Sequence, residues 1–514
     1  MKEPRRLVIL TTLLLALGVA VFSQRNGETE FGVDGSYYFQ VARHVAAGDG
    51  LVTSVCLYHQ GLKRLPSKTN IYPLWPLLLG GLGKLIGVTT AARFFPRTLF
   101  LIDLVLLYLL VLRINATSFR GFDFGHLLVL MFGCNLLFFA AASYPYTEAL
   151  AFLLIFLALL MIERSGAAAG AVAGLAFLTR SQNVVFAAAL FVALLIVRRW
   201  RSAAGFAAAF IVVLLPWMIF LATFVKPFTL SALVSMYSET PELPVFVQLI
   251  HPKGLAWFVD RLRGLITAFN PASTVSFVHS FGFAALLVPI AAVHVIVTWD
   301  GLSGRLAGLR ARPTLVSTLL GGAALSFSLL FVHQRFFLEW LFGYRHGLPF
   351  ILLLMLAVIE LIAHSGFSVR TIALTVCMFS IGTGALAIAR TSIWRPHPWP
   401  PAPEAQLASW LAQHDPNAIV LSTNAQVLSA ISTANFRWAV CQEEPEAISK
   451  VLRLVRTDYV AGYDGEQQCP FLRGLVGPDL QIIAIFGQFP RRLFLMRVRR
   501  PTPISSPPPS APGG

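Results

Sequence analysis

The sequence predicts a mainly α-helical, polytopic membrane protein that ends in a small soluble α/β domain. Hydrophobic residues make up 56% of the 514-residue chain and charged residues only 12%, whereas soluble globular chains are about one quarter charged. The apolar residues are gathered into long runs, and after residue 390 the sequence changes to short strand-like segments joined by polar and proline-rich stretches. These observations exclude an ordinary soluble fold for most of the chain.

Eleven apolar runs are long enough, or nearly long enough, to cross the hydrocarbon core of a bilayer, which takes about 20 residues. They cover residues 7–22, 97–112, 126–142, 148–162, 167–178, 183–197, 203–224, 281–298, 314–333, 347–363 and 371–389. The sequence therefore predicts about eleven transmembrane helices. The first run lacks a small-x-small cleavage site after it, so we interpret it as an uncleaved span rather than a signal peptide.

The arginines of the short loops predict the orientation, because Lys and Arg prefer the cytoplasmic side. With the N-terminus inside, every predicted cytoplasmic loop carries Arg, as in "RINATSFRGFD", "ERSG" and "VRRWRS". The long segments 23–93 and 225–280 are then extracytoplasmic. We therefore expect a multi-pass protein of the inner or plasma membrane. Most basic residues lie in short loops between the apolar runs, so the formal charge of +16 does not indicate a nucleic-acid partner.

Three parts follow from this pattern. Residues 1–390 form the transmembrane module, residues 391–498 an extracytoplasmic α/β domain, and residues 499–514 a proline-rich tail expected to be disordered. Within the domain, "NAIVLST", "TDYVAGY", "LQIIAIFG" and "RRLFLMRVR" predict strands and "PEAISKVLRLV" predicts a helix. Cys441 and Cys469 would form a disulfide only if the domain faces an oxidising space, and the sequence leaves that open.

The first long loop carries an acid, Asp34, in the stretch "VDGSYYFQVARHVAAGDG". Apolar positions recur at helical spacing from Tyr37 to Val45, which predicts a helix on the membrane surface with Tyr37 and Tyr38 at headgroup depth. The stretch "KRLPSKTNIYPLWPLLLGGLGKLIG" predicts a second interfacial helix. From local rules alone, Asp34 is either the N-cap of its helix or a functional acid.

These stretches resemble the first outer loop of the GT-C superfamily of membrane glycosyltransferases. The segment "AAASYPYTEALAFLLIFLALLMIERSGAAAGAVAGLAFLTRSQNVV" resembles PIG-V-like mannosyltransferases and the protein-mannosyltransferase and aminoarabinose-transferase branch. The later "FGYRHGLPFILLLMLAVIE" is similar to their penultimate helices, and the similar layout covers residues 1 to about 390. The resemblance implies a GT-C-like fold. It also implies an inverting enzyme that moves a sugar, mannose or another hexose, from a polyprenyl phosphate to an acceptor at the outer face of the membrane.

The resemblance also implies roles for two acids. In these enzymes the acid of the first outer loop is the catalytic base, which makes Asp34 the base that removes a proton from the acceptor hydroxyl. A second acid helps to position the acceptor or a metal, and Glu148 in "SYPYTEAL" occupies that place. The alternative for Glu148 is simple charge complementarity at a helix N-terminus.

The leaving group would be a lipid phosphate, whose growing charge needs cations nearby. Arg180 in "LTRSQN" lies on the predicted outer side and can bind phosphate through its planar fork. Lys68 lies in the first loop, but related transferases place Lys directly before a Pro-Pro pair, and "NIYPLWP" has none. For each cation a lipid-headgroup contact is the alternative. The remaining candidates for the donor phosphate form one cluster, Arg335, Tyr344, Arg345 and His346.

Two other functions stay open at this point. Asp103 lies inside the second predicted span, where an ionisable residue is functional by default or forms a hydrogen-bonded pair. Together with Glu360 it would suit a transporter or flippase, although no internal repeat supports one. A scaffold that presents the C-terminal domain is the third alternative. The sequence predicts no definite cofactor, and a divalent metal stays an alternative because branches of the superfamily differ in their need for one. The sequence does not decide whether the acceptor is a protein, a lipid or a polysaccharide.

Overall fold

The computed structural model describes about half of the chain. The described residues are 2–23, 32–57, 65–69, 71–113, 124–180, 183–224, 367–390, 402–438, 452, 456–463, 480–488 and 492–498. The predicted spans at 281–298, 314–333 and 347–363 lie outside them, as do Cys441, Cys469 and the tail. The chain forms two compact units: residues 1–27, 45–51 and 69–396, and residues 28–44, 52–68 and 397–514.

Thirteen helices and eight strands are found in the described residues. The helices are α1 (Lys2–Phe22), α2 (Gly32–Ala47), α3 (Leu74–Ile86), α4 (Val88–Arg113), α5 (Phe124–Gly133), α6 (Leu136–Ser143), α7 (Glu148–Met161), α8 (Gly166–Phe177), α9 (Asn183–Ile196), α10 (Trp200–Phe224), α11 (Phe367–Arg390), α12 (Ala402–His414) and α13 (Ala425–Ile431). The strands are β1 (Val52–Thr53), β2 (Val55–Leu57), β3 (Ser67–Lys68), β4 (Ile419–Ser422), β5 (Asn435–Trp438), β6 (Tyr459–Tyr463), β7 (Leu480–Phe486) and β8 (Leu493–Val498).

Helices occur at eight of the eleven predicted spans. The other three spans lie outside the described residues. By length and composition, α4 and α10 could each cross a membrane, and shorter apolar helices accompany them in the described part of the chain. The predicted span 126–142 is not one helix but two. Asn135 separates α5 from α6, and its Oδ1 accepts a hydrogen bond from the Phe138 amide (3.0 Å). This is an N-cap, so a new helix starts inside the apolar run.

Helices α8 and α10 pack with their backbones in close contact along a stripe of glycines. A Cβ added at Gly166 would lie 2.0 Å from the carbonyl oxygen of Ser202, and one at Gly170 would lie 2.1 Å from that of Phe206. The sequence "GAAAGAVAG" repeats a small residue every fourth position, which places all the glycines on one face of the helix. Only glycine permits this approach.

The second unit contains a mixed six-stranded sheet with the order β2-β5-β4-β6-β8-β7. Strands β2, β5, β4 and β6 are parallel, and β8 is antiparallel to both β6 and β7. The four strands predicted in the C-terminal part are confirmed as β4, β6, β7 and β8. Strands β2 and β5 were not predicted. Strand β2 comes from the first long loop and pairs Val55 with Phe436 and Cys56 with Arg437.

Helix α2 is packed against protein along much of its length. Tyr37 packs on the apolar core of the sheet unit, Tyr38 is only 7% exposed, and Val41 is fully buried. Gln40, a polar residue of the same helix, is 2% exposed. The two tyrosines therefore pack against protein, because helical periodicity reveals an apolar face but not what covers it; their depth relative to the membrane stays a prediction.

Candidate active site

Glu148 and Arg180 meet at one end of the hairpin that α7 and α8 form. Glu148 is the first residue of α7, and Arg180 follows the last turn of α8. Arg180 Nη1 donates to Glu148 Oε1 in an ion pair and also to the Thr147 hydroxyl (3.2 Å). The Glu148 side chain is 2% exposed and that of Arg180 14%. Two residues that the sequence proposed separately are thus brought into one buried pair.

The first turn of α3 is hydrogen-bonded to both turns next to this pair, the one before α7 and the one after α8. The Trp75 indole Nε1 donates to the Pro145 carbonyl (2.7 Å), just before α7. The Leu74 amide donates to the Leu178 carbonyl (3.1 Å), just after α8. Trp75 is fully buried. The "YPLWP" segment, predicted only as the beginning of an interfacial helix, therefore fixes the spacing of the turns around Glu148 and Arg180.

Asn183 is a site residue that sequence reasoning missed. Its Nδ2 donates to the Ala176 carbonyl at the end of α8 (2.8 Å), while its amide donates to the Arg180 carbonyl (3.1 Å). It is fully buried, and its Oδ1 accepts no hydrogen bond from the residues that the structure describes. The side chain closes the turn that presents Arg180. The sequence signal for it is the polar "TRSQN" between two apolar runs, which holds Asn183 as well as Arg180.

Asp34 and Lys68 lie in the sheet unit, whereas Glu148 and Arg180 lie in the helical unit. Asp34 is the third residue of α2 and is partly buried. It therefore sits in the first turn, where a carboxylate complements the helix dipole, and not at the cap position. Lys68 is partly buried in β3, opposite Val52. Arg335, Tyr344, Arg345, His346 and Glu360 lie outside the described residues.

Asp103 is buried in the middle of α4 and fully excluded from solvent. Neither of its carboxylate oxygens has a hydrogen-bond partner within the described segments. The structural hydrogen-bonded pair considered for it is therefore not found there. Nor do those segments contain a group of three or more His, Cys, Asp or Glu residues that could hold a metal ion.

No protein-family model and no curated protein sequence matches the chain. Solved structures do match. The oligosaccharyltransferase AglB from Archaeoglobus fulgidus, in complex with an inhibitory peptide and a dolichol-phosphate, aligns with a TM-score of 0.60 at 13% identity, covering 90% of this chain and 70% of that one. ArnT from Cupriavidus metallidurans bound to undecaprenyl phosphate aligns with a TM-score of 0.53 at 14% identity, covering 95% of this chain and 97% of the ArnT chain.

The arabinofuranosyltransferase AftD from Mycobacteria aligns with a TM-score of 0.50 at 15% identity. That match covers 96% of this chain but only 41% of the larger AftD chain. Identities this low bear on the fold alone. Over most of its length the chain has the mostly helical fold of the GT-C lipid-linked glycosyltransferases, joined to a C-terminal mixed sheet.

Proposed function

We propose that the protein is a membrane glycosyltransferase that takes a sugar from a polyprenyl-phosphate donor and transfers it to an acceptor at the outer face. The observation that carries this proposal is the buried Glu148–Arg180 pair in a chain of this fold. The matched AglB and ArnT structures contain dolichol-phosphate and undecaprenyl phosphate respectively, which supports a donor of the same chemical class.

The ion pair is better explained by function than by stability. Taking both charges out of water costs several kcal/mol per ion, and apolar replacements of buried pairs are often neutral or stabilising. A guanidinium held at a fixed place by Glu148 and Thr147, however, is ready to face a phosphate, because its donors form a rigid planar fork. We propose that Arg180 binds the donor phosphate and that Glu148 orients the guanidinium.

The proposed reaction is a single displacement. The acceptor oxygen attacks the anomeric carbon while Asp34 removes its proton, and the bond from that carbon to the phosphate oxygen breaks. The electron pair leaves with the polyprenyl phosphate, where Arg180 stabilises the developing charge. Configuration at the anomeric carbon inverts. Lys68, Arg335, Tyr344, Arg345 and His346 remain candidates for the same phosphate, and mannose or another hexose remains the expected sugar.

The test uses full-length protein in proteoliposomes with a panel of undecaprenyl-phosphate sugars, carrying mannose, glucose, aminoarabinose or arabinofuranose. A membrane extract supplies the acceptor, and released undecaprenyl phosphate is measured. Asp34→Asn should lower turnover by about 10²-fold or more, the contribution typical of a general base. Asp49→Asn is the matched control, an exposed acid in the same loop. Full turnover by Asp34→Asn would contradict the role of Asp34, and no turnover of any donor by the wild type would contradict the function.

A further inference from the structure

An arginine of the first loop caps a helix near the other end of the chain. Arg43, on α2, donates from Nη1 to the carbonyl oxygens of Ala430 (2.9 Å) and Ser432 (3.5 Å). Both carbonyls lie at the C-terminal end of α13, where the last carbonyls of a helix lack partners within it and the dipole is negative. A cation is favoured there. Burial lowers the pKa of Arg43, but the guanidinium stays charged because arginine titrates far above neutral pH.

The strand that follows α2 is bound to the same part of the C-terminal domain. Strand β2 lies parallel to β5, and the Phe436 amide donates to the Ser54 carbonyl (2.8 Å). The loop thereby extends the C-terminal sheet by one strand. Tyr37 adds an apolar contact, since it packs against the core that contains Phe436. Helix α13 and strand β5 are thus both held by the first loop.

Helix α2 is also hydrogen-bonded to the two residues immediately before β2, Thr53 and Ser54. Gln40 Nε2 donates to the Thr53 hydroxyl (2.8 Å), and Gln40 Oε1 accepts from the Ser54 amide (3.1 Å). His44 Nε2 lies 2.8 Å from the Ser54 hydroxyl oxygen. Helix, strand and C-terminal sheet are therefore connected by consecutive hydrogen bonds, and α2 cannot turn without breaking several of them.

We infer that Arg43 is a positioning residue. Through it, the C-terminal domain sets the position of the Asp34 carboxylate. This inference rests on the proposed function, because it takes Asp34 to be the base. Asp34 lies nine residues before Arg43 on the same helix, about 13 Å along its axis at 1.5 Å per residue. A small rotation of the helix at Arg43 moves the carboxylate at its other end. Misplacement of a reacting group by about 1 Å can lower a rate about 10²-fold.

The first arm of the test is kinetic and uses the full chain in proteoliposomes with the donor that turns over fastest. Arg43→Ala should lower kcat at least tenfold and leave KM within about twofold, because donor binding does not use Arg43. Arg43→Lys should recover kcat to within about threefold of wild type, since an ammonium group can still donate to both carbonyls. Arg456→Ala is the matched control, an arginine of the same unit whose side chain is 63% exposed, and it should leave both constants unchanged.

The second arm does not depend on activity. Cys56 pairs with Arg437 across β2 and β5, and Arg437 Nη1 lies 3.4 Å from Cys56 Sγ, so the two side chains share a face. Arg437→Cys, in a chain with Cys441→Ser and Cys469→Ser, should form a disulfide with Cys56 on mild oxidation, measured by intact mass. Arg456→Cys in the same background should form none.

The outcomes separate this inference from the proposed function. An active Asp34→Asn variant overturns the base assignment whatever Arg43 does. An inactive Asp34→Asn variant together with a full kcat in Arg43→Ala overturns the positioning role alone. Absence of the disulfide to Cys56 in the folded Arg437→Cys chain overturns the shared sheet, and equal loss of kcat in Arg43→Lys and Arg43→Ala overturns the capping explanation.

Discussion

At the residue scale, the Glu148–Arg180 pair allows stability and function to be separated. Arg180→Met leaves Glu148 as a buried charge without its cation, and breaking a buried pair in this way costs about 3–5 kcal/mol. The double variant Glu148→Met/Arg180→Met removes both charges, so we expect it to regain most of the lost thermal stability. Transfer should nevertheless stay abolished, because no guanidinium faces the leaving phosphate. Thermal unfolding in detergent and the transfer assay measure the two properties.

The Arg113–Glu163 pair supplies the control for that experiment. Its side chains are 32% and 25% exposed, and ion pairs open to solvent contribute about 1 kcal/mol or less. Arg113→Met/Glu163→Met should therefore unfold near the wild-type temperature and keep its activity. Activity in the Glu148→Met/Arg180→Met chain would contradict the proposed use of the pair.

Asp103 is expected to lower the stability of α4. A buried polar group without a hydrogen-bond partner costs about 1–3 kcal/mol, and neither oxygen of Asp103 has one among the described residues. Threonine is similar in size, and its hydroxyl can bond within the helix, as Thr98 Oγ1 already does to the Phe94 carbonyl (3.0 Å). Asp103→Thr should raise the unfolding temperature and leave transfer intact.

The comparison variant is Asp103→Asn. Its amide still needs hydrogen-bond partners, so the variant should raise the unfolding temperature less than Asp103→Thr or not at all. Flux of a solute or lipid-linked sugar across proteoliposomes, lost in Asp103→Thr while transfer is unaffected, would instead support the transporter alternative.

The sequence predicted which site residues to examine but not how they meet. Asp34, Glu148 and Arg180 were found through short motifs that resemble a superfamily. Their motifs do not encode that Arg180 binds Glu148, because the contact depends on how α7 and α8 turn back on each other. Asn183 escaped attention because an asparagine between two apolar runs has many ordinary explanations.

At the element scale, the glycine stripe of α8 should be intolerant of even one methyl group. A Cβ at Gly170 would lie 2.1 Å from a backbone oxygen of α10, and a backbone atom cannot move aside as a side chain can. Gly170→Ala should therefore destabilise the protein by about 1–3 kcal/mol, the usual range for overpacking. The measurement is the unfolding temperature in detergent.

Gly81, in α3, is the matched control because a Cβ there meets nothing within 4 Å. Alanine reduces the freedom of the unfolded chain, so Gly81→Ala should be neutral or stabilise by about 0.4–1 kcal/mol. Equal unfolding temperatures for the two variants would argue against the close backbone approach of α8 and α10.

The elements that sequence predicted best are those with a long periodic signal. Apolar helices such as α8 and α9 begin and end within a residue of the predicted spans. The break at Asn135 was missed because hydropathy averages over a polar residue inside an apolar run. Strand β2 was missed for another reason: three residues carry no periodicity, and their partner strand lies some 380 positions away.

At the scale of the whole molecule, the shared sheet constrains the membrane topology. Strands β2 and β5 are hydrogen-bonded neighbours, so they lie on the same side of any membrane. The number of crossings between residues 57 and 435 must then be even. Of the eleven predicted spans, ten fall between these residues, which is an even number, although the count and the orientation stay predictions.

A membrane-impermeant maleimide tests this arrangement in intact cells. One cysteine at a time is added, at Ala47, after the first predicted span, or at Thr433, before β5, and labelling is compared with the chain that keeps only Cys56, Cys134 and Cys377; both positions are exposed. Native Cys441 and Cys469 are replaced by serine. Both sites should label from outside, whereas Arg164→Cys, exposed between α7 and α8, should label only after permeabilisation. Labelling of Ala47→Cys and Thr433→Cys from opposite sides would contradict the shared sheet.

Helix α3 connects the turns around the Glu148–Arg180 pair to an exposed apolar face. Its first turn is hydrogen-bonded to the turns on either side of that pair, and its remaining length presents large apolar side chains outward. These are Leu77, Leu78, Leu85 and Ile86. A bilayer whose hydrocarbon depth does not match this face shifts the helix, since mismatch is relieved by tilting. The same helix would then displace both turns at once, so we expect acyl-chain length to change the rate of the proposed transfer.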